Sequence, residues 1–480
     1  MDGEPVRFFV CKYARRYFEG VCPEDLLNLL RDTRPRSIGR METGMLLGTQ
    51  SVNSRNHLEI GGCDVVDLAA EFGTPLYVID EQFVRERCRQ YNAAFKEHYG
   101  NAAAAYAAKA FIVAAMCRLV AEEGMWLDVA SAGELHTASI GGFPMERVLL
   151  HGNFKTAEEL EMAVDLRVRY IVADSFLELE VLAAIAQDAG KTAQVVLRCN
   201  PGVDPHTHHL IRTGQEDSKF GFNIKDGSAM RAVRKVIEED GLELGGLHCH
   251  VGSQIFDMSP YVEAAPVMLE FIKRILDETG VAVSLLDMGG GLGVRYLEEH
   301  NPPSVDEFAR TVSDAVKSAA AAAGVEPPML MVEPGRSIVG EAGTTLYTVG
   351  PVKQVSISED PGRRTYVSVD GGLSDNPRPA LYDAVYSAMI ANRADDGPDR
   401  KYTVAGRHCE TDILLRDVKL AAPKTGDLLA VQTTGAYNHA MASNYNRFTR
   451  PAVVFVHDGK ARLACRRETL EDVVRCDVLE

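Results

Sequence analysis

Short apolar runs alternate with longer amphipathic stretches over much of the chain. The runs occupy residues 104–110, 126–130, 148–151, 170–173, 194–200, 244–250, 284–289 and 329–333. The segments between them, such as 158–163 and 176–189, have helix-like content. Strand–helix alternation predicts parallel strands joined by crossover helices. Eight such units over about 230 residues predict a (β/α)8 barrel rather than an open doubly wound sheet. No sequence repeat is visible, so the count rests on the hydrophobic pattern alone.

Past about residue 340 the pattern changes to β runs without long helices, at 345–349, 365–369, 402–405 and 428–431. Residues 453–456 and 461–465 flank His457-Asp458-Gly459-Lys460, which predicts a hairpin with a tight Asp-Gly turn. This is a second, mainly antiparallel β domain. Residues 65–72 read as a short helix and 75–80 as a strand that joins the β domain, so the domain is built from both chain ends. The expected layout is an N-terminal extension of unknown role at 1–41, a first part of the β domain at 42–80, the barrel at 81–335 and the C-terminal β domain at 336–480. Within the extension, residues 23–30 predict a short amphipathic helix and Arg34-Pro35-Arg36 a break; no chemistry is evident there.

Polar residues fall at or just after the C-terminal ends of the predicted barrel strands. In order they are Lys109, Asp128, His151 with Asn153, Asp174, Arg198 with Asn200, His250 with Ser253, the Gly289-Gly290-Gly291 run, and Glu333 with Arg336. In a barrel these ends converge on one mouth, where catalytic groups are found. Core packing alone does not explain such a series.

Bulk properties narrow the partners. The chain has 480 residues, 46% hydrophobic and 25% charged, as in an ordinary soluble globular protein. Its formal net charge, 51 − 68 = −17, argues against a general nucleic-acid binder or an anionic membrane surface. The ten cysteines are scattered without C-x-x-C or zinc-finger spacing, which favours reduced thiols in a cytoplasmic protein. No long apolar run predicts a membrane span, and the N-terminus lacks a signal-peptide pattern.

Three features carry chemistry. Lys109 closes Ala105-Tyr106-Ala107-Ala108-Lys109, a predicted buried strand. An ammonium buried among apolar neighbours has a lowered pKa, which makes the amine a Schiff-base nucleophile; a strand-end lysine that snorkels to water has the same local pattern. Gly289-Gly290-Gly291-Leu292-Gly293 follows a strand and lets backbone N–H groups approach a phosphate, or makes a tight turn. Glu333-Pro334-Gly335-Arg336 offers a carboxylate for a ring nitrogen and a guanidinium for a carboxylate, or an internal salt bridge. His248 and His250, two apart on a predicted strand, would share a face, but no third and fourth zinc ligand follows by spacing, so no metal is expected. Cys409-Glu410, Arg378-Pro379-Ala380-Leu381-Tyr382 and Gly435-Ala436-Tyr437 read as loop-like segments suited to proton donation and anion recognition. A Schiff-base lysine, a phosphate cradle and a ring-nitrogen carboxylate together point to pyridoxal 5'-phosphate.

The motifs, in order, are A-Y-A-A-K-A-F, D-V-A-S-A-G-E-L (128–135), H-G-N-F-K-T (151–156), T-G-Q-E-D-S-K-F-G (213–221), G-L-H-C-H-V-G-S-Q (246–254), M-G-G-G-L-G (288–293), E-P-G-R (333–336), C-E (409–410) and G-A-Y (435–437). On these, residues 42–480 resemble the diaminopimelate decarboxylase family, pyridoxal-phosphate enzymes with an alanine-racemase-like fold. The resemblance implies decarboxylation of meso-2,6-diaminopimelate to L-lysine and CO2, the last step of lysine biosynthesis. It implies Lys109 as the Schiff-base residue and Cys409 as the proton donor. It assigns Asp128, Arg198, His250, Ser253, Gly289, Gly290, Gly291, Glu333, Gly335, Arg336 and Tyr437 to the cofactor, with Glu333 on the ring nitrogen and His250 stacked on the ring. Arg336, Arg378, Tyr382, Glu410 and Tyr437 fall to the substrate. Cys409 and Glu410 would come from a second subunit, so a homodimer with shared active sites is expected. One departure matters: where the family reads C-E-S-G-D, this chain has Cys409-Glu410-Thr411-Asp412, one residue shorter. The shortening keeps open a related D-configured basic amino acid or a carrier-tethered amino acid as substrate. A non-catalytic relative acting as a binding partner is a further alternative, which the presence of Lys109, Glu333 and Cys409 disfavours.

Overall fold

The computed structural model describes residues 45–203, 218–358 and 362–479. The helix expected at 23–30 and the start of the 213–221 motif lie outside them.

Eight parallel strands close into a barrel: Ala102–Ala107, Trp126–Val129, Val148–Leu150, Tyr170–Ala173, Ala193–Asn200, Leu242–His248, Leu285–Asp287 and Met329–Val332. Each pairs in parallel with the next, and the eighth pairs with the first. Successive strand residues point to opposite faces. One set, including Ala105, Leu149, Val172, Val196, Leu285 and Met331, forms a small buried cluster of its own. Its neighbours, including Leu150, Ile171, Val195, Leu197, Leu286 and Leu330, join the large cluster shared with the helices. The barrel is therefore filled, and a ligand site has to lie at its rim.

Local chemistry sets where each strand turns into its helix. Thr156 accepts from Glu159 N while the Glu159 side chain accepts from Thr156 N, a capping box that starts Ala157–Asp165 and stabilises it by about 1 kcal/mol. Ser131, Ser175 and Ser304 cap three further helices through their hydroxyls. Ser131 and Ser175 start their helices within three residues of the preceding strand, whereas Ser304 lies at the end of the long glycine-containing loop after Asp287.

Four elements differ from expectation. The first strand ends at Ala107, and Lys109 lies in the single 3-10 turn Ala108–Ala110. The sixth strand ends at His248, so His250 sits in the following loop and the two histidines do not share a strand face. Arg378–Tyr382 is a short helix rather than a loop, opened by Pro379 in its first turn. Arg336 begins the short helix Arg336–Val339 directly after the eighth strand.

The second sheet is organised on the long strand Gly343–Ser356. It pairs antiparallel with Leu76–Asp80, Arg363–Val369 and Leu428–Gln432. Leu76–Asp80 pairs in parallel with Ala452–His457, so the two ends of the described chain meet in one sheet. Ala452–His457 and Lys460–Cys465 form the expected hairpin. Its central residues Asp458 and Gly459 both have positive φ, 49° and 69°, as a type I′ turn requires. Among the described residues no helix is long and apolar enough to cross a membrane.

Candidate active site

A cavity of about 380 Å³ opens where the strand ends meet the β domain, and Lys109, Glu333, Arg336, Arg378 and Tyr437 all line it. Tyr437, from the β domain, donates its N–H to Ala110 O at 2.7 Å and so fastens a cavity wall to the lysine turn. Two residues earlier, Gly435 packs against the Arg336–Val339 helix, where a Cβ would lie 1.8 Å from Val339 O.

Lys109 Nζ donates to Asp128 Oδ2 at 3.0 Å. Asp128 is buried, while the lysine side chain keeps 46% of its surface, which faces the cavity. Burial alone would lower the lysine pKa, but the negative charges of Asp128 and Glu333 outweigh it and the pKa is raised. This corrects the expectation of a lowered pKa: the immediate neighbours are carboxylates, not apolar groups alone. The amine becomes nucleophilic only when its proton is passed on.

Glu333 is buried between two imidazoles. His248 Nε2 lies 3.2 Å from Oε2 and His151 Nε2 lies 2.7 Å from Oε1. Burial opposes its ionisation, but both histidines favour it, and its pKa is held well below the usual range. Burial pulls His248 down to about 4, so its imidazole is neutral near pH 7. The adjacent Asp287 carboxyl is driven the other way, well up, by complete burial and by the charge on Glu333. Glu333 Oε1 has no aligned hydrogen-bond donor. A buried carboxylate that lines the cavity and is kept ionised by its surroundings fits a protonated ring nitrogen. His151, His248 and Glu333 also bring three potential metal ligands within 4.8 Å of one another. A metal and a ring nitrogen would compete for the same carboxylate.

The opposite side of the cavity is cationic. Arg336 donates through Nη2 to Ser253 Oγ at 3.1 Å and through Nη1 to Tyr296 OH at 2.6 Å, and its guanidinium lies 4.7 Å from the Tyr437 ring centroid. Its Nε is buried without a partner. The glycine run contributes less than expected. Gly290 and Gly291 line the cavity; Gly289 does not. The Gly289 N–H donates to Asp287 Oδ1 at 2.8 Å and the Gly290 N–H to His250 Nδ1 at 3.2 Å, so both are already engaged. A Cβ on Gly290 would lie 2.1 Å from Glu333 O, so close packing of two loops by itself requires glycine there. Arg336 and Ser253, bonded to each other, line the cavity beside Gly290 and Gly291, so side-chain donors stand next to the glycine run there. Lysine, ionised carboxylate and cationic end in one cavity fit a flat phosphorylated pyridine aldehyde.

Other expected residues divide. His250 lines the cavity, and burial with the charges of Lys109 and Arg198 keeps its imidazole neutral. Gly335 also lines it; a Cβ there would lie 3.0 Å from the Ala107 Cβ. Arg378 and Tyr382 line it from their short helix. Arg198 does not: its guanidinium lies 4.2 Å from the Phe220 ring centroid, at the end of the fifth strand. Cys409 and Glu410 are exposed on a β-domain loop and are not among the cavity's lining residues. Sequence reasoning missed Tyr296 and Tyr386, which hold Arg378, and the pairing of His151 and His248 with Glu333. Tyr296 lies five residues past the Gly289-Gly290-Gly291 run, and that position is the one signal the sequence offers.

Comparison with known proteins agrees with this geometry. Residues 81–340 match the family model described as pyridoxal-dependent decarboxylase, pyridoxal binding domain. The diaminopimelate decarboxylase of Bacillus subtilis is 48% identical over 434 residues, covering 90% of this chain and 98% of the relative. That of Mycobacterium tuberculosis is 44% identical over 460 residues, covering 95% and 99%. Among solved structures, diaminopimelate decarboxylase from M. jannaschii in complex with L-lysine superposes with a TM-score of 0.82 at 34% identity, covering 91% of this chain and 99% of that one.

Proposed function

The chain belongs to the diaminopimelate decarboxylase family of pyridoxal-dependent decarboxylases, and from that membership we propose that it decarboxylates meso-2,6-diaminopimelate to L-lysine and CO2. The observation that supports this most directly is one cavity that brings together Lys109, Glu333 and two arginines, Arg336 and Arg378. A monocarboxylate substrate would leave the second arginine without an anion.

Pyridoxal phosphate, when bound, supplies an electron sink for the pair left behind by departing CO2. Lys109 provides the amine that carries it, and Asp128 holds that amine in place. Glu333, kept ionised by His151 and His248, presents negative charge at one end of the cavity. Arg336 and Ser253 present donors at the other, and Arg378 with Tyr382 meets the far carboxylate. Cys409 returns the proton to carbon and Glu410 accepts from the far ammonium, both reaching the cavity of a second subunit. A homodimer with shared sites, in the cytoplasm, is part of this reading; its support is the exposure of Cys409 and Glu410 on this chain.

The test is a substrate panel with CO2 detection on purified wild type and Lys109→Ala. Wild type should release CO2 from meso-diaminopimelate and form L-lysine. Lys109→Ala should lose the borohydride-sensitive absorbance of bound cofactor and nearly all turnover. CO2 from D-lysine or D-ornithine, and none from meso-diaminopimelate, would overturn the substrate assignment.

A further inference from the structure

Two phenols and two guanidiniums meet on one side of the cavity. Tyr296 OH accepts from Arg336 Nη1 at 2.6 Å and from Arg378 Nη1 at 2.9 Å. Tyr386 OH accepts from the same Arg378 Nη1 at 2.7 Å. Both hydrogens of Nη1 are thereby committed, which fixes the rotation of the guanidinium. Its Nε–Nη2 edge has no hydrogen-bond partner among the described residues, and Arg378 lines the cavity. That edge is the one that meets a carboxylate through two parallel bonds.

The phenols are themselves held. Their rings meet edge to face, with centroids 5.3 Å apart at 88°, and Tyr386 OH lies 3.3 Å from Asn438 Oδ1 as donor. Although Tyr296 is buried, which alone would raise its pKa, Arg336 and Arg378 lower it. One phenol oxygen therefore sits between two like charges and binds both. Arg336 reaches onward to Ser253, whereas among the described residues Arg378 hydrogen-bonds the two phenols alone.

We propose that Tyr296 is the positioning residue that sorts the two arginines, Arg336 to the phosphate side and Arg378 to the far carboxylate, and that with Tyr386 it sets the preference for an amino acid bearing a second carboxylate. The inference rests on the decarboxylase reading of the cavity. A buried guanidinium edge is left unpaired by a substrate that lacks the distal carboxylate, and sites built to bond a missing group discriminate strongly against its absence.

The experiment measures kcat and KM of wild type, Tyr296→Phe and Tyr386→Phe with meso-diaminopimelate and with D-lysine, which lacks the second carboxylate. It also titrates pyridoxal phosphate into each apo protein by absorbance. Of the two arginines Tyr386 bonds Arg378 and not Arg336, so Tyr386→Phe should raise KM for meso-diaminopimelate about tenfold with kcat held within about twofold, as loss of one charged hydrogen bond predicts. Its cofactor affinity should match wild type. Tyr296→Phe releases both arginines and should raise KM further, by about thirtyfold, while weakening cofactor binding several-fold. In both, discrimination against D-lysine should fall by the same factor as KM rises. An unchanged KM and discrimination in Tyr386→Phe, whose folding is checked by its melting curve, overturns the inference while wild-type turnover keeps the decarboxylase reading. Equal losses in kcat on both substrates also overturn it, since they mark general disruption. If wild type decarboxylates neither substrate, both readings fall together.

Discussion

The cavity and the Cys409 loop are both supported by buried hydrogen-bond networks, yet they present their residues in opposite directions. In the cavity, Asp128, His151 and His248 are buried and aim Lys109 and Glu333 at a space enclosed by this chain. Under the loop, His408 Nδ1 lies 2.7 Å from Asp412 Oδ2 and His408 Nε2 lies 2.8 Å from Ser374 Oγ, all three residues buried. Asp412 also accepts from Leu373 N and His408 N, at 2.7 and 3.0 Å. What this network supports, Cys409 and Glu410, faces solvent. Rigid presentation of a thiol and a carboxylate to solvent has no use within one chain. It suits a docked second copy, as the proposed dimer with shared sites requires.

Mixing variants breaks that comparison most severely. Lys109→Ala and Cys409→Ala should each be nearly inactive alone. Mixed in equal amounts and allowed to exchange, they should recover about a quarter of wild-type turnover, because half the dimers are mixed and each mixed dimer holds one intact site of two. Recovery near zero after demonstrated exchange would mean that Cys409 serves its own chain or none. A smaller effect is expected inside the cavity. Glu333→Gln removes the buried negative charge but keeps the shape, and turnover should fall about a hundredfold, the scale for losing one preorganised electrostatic partner. Borohydride-sensitive absorbance should persist, since Lys109 is intact; its loss would mean that Glu333 holds the fold of the site rather than its charge.

The barrel was legible because its strands are buried on both sides and separated by capped helices, so the apolar runs stand out. Lys109, Glu333 and Arg336 were legible because each sits within a few residues of a strand end. The partners of Glu333 were not. His248 and Glu333 are 85 residues apart, and only barrel closure brings them together. Pairing His248 with His250 on one face requires a strand two residues longer than the one that forms. Tyr296 and Tyr386 lie in irregular stretches where periodicity carries no orientation. The shortened loop was visible as a missing residue, but not its repair. Asp412 folds back with φ 45° into space left by Gly372 and Gly406, where added Cβ atoms would lie 2.3 and 2.0 Å from its Oδ2.

The smallest expected effect separates two buried carboxylates, one from each region. Glu333 is held well below the usual range by its histidines. Asp375, beside the loop network, has no such partner. Tyr347 OH donates to its Oδ1 and Gly372 N to its Oδ2 at 2.9 Å, but burial dominates and pushes its pKa from 3.8 up to about 7. A folded-state pKa above the unfolded value means that the native protein binds this proton more tightly than the unfolded chain does. The resulting stability is fully present below about pH 4 and is lost as pH rises through about 7. Asparagine keeps an acceptor for Tyr347 and cannot ionise. Between pH 5 and 8, wild type should therefore lose melting temperature relative to Asp375→Asn, by a few degrees for a shift on the order of 3 kcal/mol. Glu333 and the histidines are common to both proteins, so their contributions cancel in the difference. Parallel melting-temperature profiles across that range would show that Asp375 ionises normally, and the contrast between the two carboxylates would then rest on Glu333 alone.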